Sequence, residues 1–151
     1  MKASDISAVS ALLWAVACAP AAVPRVVSPE GLHPPDWSPT ELAQETSVRK
    51  LRQTTESTHL LLRTQVSEKP HVHDRSDLTA TLLSGEVVLH LGESSHLLEP
   101  GSVMFIPRGT PHWLELAPGA SASAYVIFSP PFDPQDRRFL TSESPAAPTP
   151  P

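Results

Sequence analysis

Between residues 47 and 130 the apolar positions come in short runs cut by turn residues. No stretch of that region sustains the helical period of an amphipathic helix. The runs predict strands over 47–53, 58–67, 78–85, 86–92, 95–101, 102–109, 112–119 and 121–130, with stops at Gly85, Gly92, Pro100-Gly101, Pro107 and Gly109. Glu41 to Gln44 predicts one helical turn after Pro39. Strands this short and this evenly spaced predict an all-β domain, a sandwich or a barrel. No internal repeat is present.

Composition sharpens the boundaries. The chain has 151 residues, a length that suggests one domain, and 18 prolines. Pro20, Pro24, Pro29, Pro34, Pro35 and Pro39 crowd one end, and Pro145, Pro148, Pro150 and Pro151 the other. Proline removes a backbone donor and fixes φ, so 18–46 reads as an extended tether and 141–151 as a disordered tail. The folded domain is expected over 47–140, with its core between Val48 and Phe132. A core this small buries only about 60–65% of its unfolded surface, so a metal or a second subunit (a homodimer) is an expected source of added stability. The net charge is −5 and the basic runs stop at "RKLR" (49–52) and "DRR" (136–138), which sets nucleic-acid binding aside.

A single cysteine, Cys18, excludes an internal disulfide framework. It follows "ISAVSALLWAVA" (6–17), an apolar stretch of signal-peptide length preceded by Lys2 and Asp5. Ala15-Val16-Ala17-Cys18 resembles the lipobox of bacterial lipoproteins, with Ala15 where that pattern prefers leucine. The resemblance implies a signal peptide over 1–17, lipidation of Cys18, and a protein of the bacterial cell envelope, anchored to the membrane by lipid. An ordinary secretory signal cut near Ala17 or Ala19, giving a periplasmic or secreted protein, and an uncleaved apolar N-terminus are the alternatives.

The candidate chemistry lies in the histidines. His71 and His73, in "KPHVHDRSDL", are two apart, so on a strand both rings point to one face and can share an ion. That spacing alone is common on surfaces. Its setting is not: "GSVMFIPRGTPH" (101–112) runs glycine, five residues, proline, one residue, glycine, two residues, histidine. With "LLSGE" (82–86) and Gly85 at the matching distance from the H-x-H pair, the stretch from about Glu56 to Pro131 resembles the cupin superfamily. These are small jelly-roll β-barrels whose two motif strands face each other. The resemblance implies that His112 meets His71 and His73 on one divalent transition metal, Fe, Mn, Ni, Cu or Zn.

This chain departs from the cupin pattern at the fourth ligand. Cupins with a full set usually place glutamate where Leu78 stands here, and the nearest carboxylate, Asp77, is one residue early. A one-residue shift on a strand turns a side chain to the other face, so Asp77 reaches an ion only through a bulge; its other reading is a turn carboxylate beside Arg75. Met104, Ile106, His90 and Arg63 are candidates to line the barrel's cavity, with Phe105, Trp113 and Tyr125 as further core or cavity candidates. "SPPFDPQDRRF" (129–139) is expected to cover the barrel mouth or pack on a second subunit. Two functions follow. One is a metal-dependent oxygenase or isomerase of a small molecule. The other is a non-catalytic, lipid-anchored module that binds or senses a small ligand.

Overall fold

A computed structural model describes residues 24–29, 31–33 and 36–141. Cys18, the segment 1–17 and nearly all of the proline-rich tail lie outside the described residues. Among the described residues, twelve strands form in chain order: β1 Val26–Ser28, β2 Gly31–His33, β3 Thr46–Gln53, β4 Thr58–Thr64, β5 His71–His73, β6 Asp77–Ser84, β7 Val87–Leu91, β8 Ser94–Leu98, β9 Val103–Ile106, β10 His112–Glu115, β11 Ala122–Ser129 and β12 Arg137–Phe139. One helical turn, α1, spans Pro39–Leu42, and a 3-10 turn spans Pro134–Asp136.

Two five-stranded antiparallel sheets, β12-β5-β10-β7-β8 and β3-β4-β11-β6-β9, make the jelly roll. Period-two alternation sorts their side chains. On β9, Met104 and Ile106 are buried while Val103 and Phe105 are 68% and 59% exposed. On β7, Val87 and Leu89 are buried. Together with Leu60, Leu82, Val126 and Phe128 they form one apolar cluster between the sheets. Each such residue contributes roughly 1.5–3 kcal/mol by leaving water.

Part of the expected tether is ordered against the barrel. Pro24 to Val27 share a hollow with Thr81, Leu83 and Tyr125, on the outer face of β6 and β11. α1 begins with a capping box: the Glu41 amide donates to Ser38 Oγ at 3.3 Å, and the Ser38 amide donates to Glu41 Oε2 at 2.7 Å. Glu41 pairs with Arg49 at 2.7 Å, and the Arg49 guanidinium sits 5.1 Å from the Trp37 ring centre. These contacts seat residues 36–42 on β3.

Four strands were not legible as separate runs: β1 and β2, inside the expected tether, and β5 and β12. β5 is only three residues long and β12 is "RRF", too short for periodicity to register. β12 is the outcome for the segment after β11: it pairs with β5, and Phe132, Arg137, Phe139 and Leu140 line the cavity.

Candidate metal centre

The three histidines converge because of strand register. His112 lies directly opposite His71 across the β10–β5 pair, so both rings enter the same face, and His73 follows two residues on. The turn that delivers His112 needs Gly109 at φ +76, and the Gly109 amide donates to the His73 carbonyl at 2.7 Å. That bond ties the end of one motif to the other. Ring centres are 4.4 Å apart for His71–His112, 5.3 Å for His71–His73 and 5.5 Å for His73–His112. One nitrogen of each ring lies within 4.8 Å of the others, and all three residues are buried.

Hydrogen bonds decide which nitrogens are free. His71 Nδ1 is 2.8 Å from the Lys69 carbonyl, and His112 Nδ1 is 2.9 Å from the Thr110 carbonyl. A carbonyl only accepts, so both Nδ1 atoms carry hydrogen and both Nε2 lone pairs are left for a ligand. His73 differs. Its Nδ1 is buried without a hydrogen-bond partner, 3.7 Å from Asp136 Oδ2. The Asp136 carboxylate is held from behind by the amides of Arg75 at 2.7 Å and Ser76 at 3.1 Å. Phe128, 5.1 Å from His73 and edge-on, fixes the ring's plane.

The rings are neutral. Burial pulls His71 down to about 4, and burial, followed by His112 and His71, pulls His73 down to about 4. Burial lowers His112 as well. Neutral imidazoles are the form that ligates, and three of them with a carboxylate poised behind one ring fit a first-row divalent ion. The residues that would hold it are His71, His73 and His112.

Asp77 does not join them. Its carboxylate accepts from the Arg108 amide at 2.9 Å and from the Arg108 guanidinium at 3.1 and 2.9 Å, and these bonds hold it down to about 2. β6 has no bulge at this point: Asp77 pairs with Ser129 and Leu78 with Phe128, so Leu78 turns into the cavity and Asp77 away from it. Arg75 bonds Asp133 and Asp136 instead of Asp77.

A cavity of about 700 Å³ opens onto the cluster. Met104 and Ile106 line it, with Leu60, Leu62, Val126 and Phe128. His90 and Arg63 do not. His90 falls between inward Leu89 and Leu91, stacks on Trp113 at 4.3 Å, and bonds Glu115 and Ser95 on the outer face. Arg63 falls between inward Leu62 and Thr64, and bonds the Gln44 carbonyl and Gln65. Tyr125 likewise faces out, 2.6 Å from His59 Nδ1, and Phe105 is exposed. Sequence reasoning missed Glu68, Asp136 and Arg137. All three lie in loops or a three-residue strand with no periodic signal; the one cue is "DPQD", an aspartate capping a proline-started turn.

The profile of the Cupin domain family matches residues 60–128. An uncharacterized protein of Aquifex aeolicus (strain VF5) is 36% identical over 93 residues, which cover 62% of this chain and 76% of that protein. Among solved structures, TT1209 from Thermus thermophilus is similar with a TM-score of 0.53 at 28% identity, covering 64% of this chain and 97% of its own. The polyketide cyclase RemF from Streptomyces resistomycificus is similar with a TM-score of 0.56 at 26% identity, covering 66% and 75%. The chain belongs to the cupin superfamily.

Proposed function

We propose that this cupin holds one divalent transition metal on His71, His73 and His112 and brings a small, largely apolar molecule to it. The observation that carries this is the convergence of three buried, neutral imidazoles, two with Nδ1 committed to carbonyls, on one apolar cavity. A bound ion would supply Lewis acidity or a site for O₂, which suits an isomerase or an oxygenase. The chain's own residues bind and orient the molecule: apolar walls exclude water, and the β12 segment adds Arg137 and Phe139 to the lining. The similarity to RemF, a polyketide cyclase, supports small-molecule chemistry in a barrel of this shape.

A second reading, a barrel that binds without turnover, has its own support. Among the described residues, Glu68 is the one carboxylate lining the cavity, and it is engaged by the Leu114 amide at 3.2 Å and by Arg137 at 3.7 Å. That leaves no free carboxylate for proton transfer. On the strength of Ala15-Val16-Ala17-Cys18 we also place the protein at the bacterial cell envelope.

Elemental analysis of the purified chain, without a histidine tag, tests the metal. About one equivalent of Fe, Mn, Ni, Cu or Zn, lost in His73→Ala, is expected. A well-folded, metal-free chain that no divalent ion stabilises against heat would sink the reading. Envelope anchoring is tested by membrane fractionation, with Cys18→Ala released into the soluble fraction.

A further inference from the structure

We infer that Arg137 makes an anion subsite beside the three histidines, and that the ligand is an amphiphile: an apolar body carrying one carboxylate. The inference rests on the proposed metal site and names what that site would receive.

Register points Arg137 inward. It is directly opposite His73 in the β12–β5 pair, so the two side chains share the face that lines the barrel; Arg138, one residue on, turns out and bonds Asp74. The Arg137 guanidinium lies 4.9 Å from the Phe139 ring centre, against that apolar wall. Its hydrogen-bonding is incomplete. Nε is buried with no partner. One terminal nitrogen is 3.5 Å from His71 Nδ1, but that atom already donates to the Lys69 carbonyl and has no lone pair to offer. Glu68 is an ion-pair partner at 3.7 Å but accepts no hydrogen bond from Arg137. A charged fork held in place, short of acceptors and lining a cavity is built to take a planar anion.

The charge balance agrees. Three imidazoles bring no charge to an ion, and Leu78, not Asp77, turns into the cavity. The ion would therefore keep its whole charge, with a guanidinium close by. Even with Glu68 and Asp136 counted, the polar end stays positive, and an anionic ligand supplies the missing negative charge. Leu60, Leu62, Met104, Ile106, Val126 and Phe128 make an apolar wall that fits an apolar body, with Thr46, Thr64, Ser67 and Lys69 also on the lining.

The test is calorimetric titration of the full, metal-loaded chain with decanoate and with decan-1-ol, after its metal content has been measured. Decanoate is expected to bind about 10–100-fold more tightly than the alcohol, with the preference lost in Arg137→Gln and partly kept in Arg137→Lys. Equal binding of the two probes by wild-type protein holding its metal overturns the subsite and leaves the metal reading standing. So does an undiminished preference in Arg137→Gln. A wild-type chain that takes up no metal and shows no preference overturns both readings together. Where Arg137→Gln folds poorly, the same pair of titrations on the metal-free wild-type chain replaces it: with no ion to take the carboxylate, a kept preference supports the subsite and equal binding overturns it.

Discussion

His73 Nδ1 and Asp136 Oδ2 stand 3.7 Å apart, both buried, and the histidine nitrogen has no other partner. The other two rings are oriented by carbonyls two residues before them in the chain. His73 alone depends on a residue 63 positions further on, in the segment that closes the barrel. A small shift of either group would close the gap into a charge-assisted bond when Nε2 takes a ligand.

Asp136→Asn should therefore weaken metal binding by about 10–100-fold. It should also cost roughly 1–3 kcal/mol of stability, because the new amide cannot accept from both the Arg75 and Ser76 amides. Competition titration against a chromophoric chelator reads the first effect, and urea unfolding of the metal-free chain the second. Unchanged affinity would show that Asp136 serves only the turn.

Asp77→Asn should leave metal affinity unchanged, since Arg108 occupies the carboxylate. Its stability cost should stay below about 1 kcal/mol, because the pair is largely exposed. His73→Ala in the same titration should abolish binding. A large loss of affinity in Asp77→Asn would restore it as a ligand.

The metal-free chain should lose stability as pH falls from about 6.5 to about 4. The folded pKa values of His71 and His73 are depressed, so in that window the unfolded chain binds protons that the folded one refuses. Stability then drops by roughly 1.4 kcal/mol per pH unit for each such proton and levels off once the folded rings protonate. Glu41 and Asp77, held down to about 2, lose their stabilising effect only at lower pH. Urea midpoints across this range check the slope; a flat profile would mean the rings are not shielded from water.

Gly85→Ala should destabilise by about 2–4 kcal/mol. At φ +84 the new Cβ would lie 2.3 Å from the Ser121 carbonyl oxygen, which is backbone and cannot swing aside. Gly92→Ala, at φ +58 with open space around it, should cost only about 1–2 kcal/mol. Thermal melts of the pair separate steric from conformational cost; equal losses would remove the steric account.

Much of this architecture was legible in the linear pattern. Short apolar runs and their glycine and proline stops located eight of the strands, because alternation and turn chemistry are local properties. The two motif stretches, with His71, His73, Gly85 and His112 at matched distances, pointed to the barrel and to the meeting of the three rings. Alternation also placed Met104 and Ile106 on one face. It could not say which face of β4 and β7 was inner, so Arg63 and His90 stayed open as cavity candidates until pairing turned them out.

What only the tertiary structure decided depends on chain segments far apart in sequence. Arg108 claims Asp77 across 31 residues, β12 brings Arg137 opposite His73, and Asp136 reaches behind that ring. None of these has a local signature, because a three-residue strand and a capped turn carry no period. The sequence by itself determined a jelly-roll barrel with three histidines inside it. The fold decided which charges surround them, since long-range register, not spacing along the chain, sets which side chains share a face.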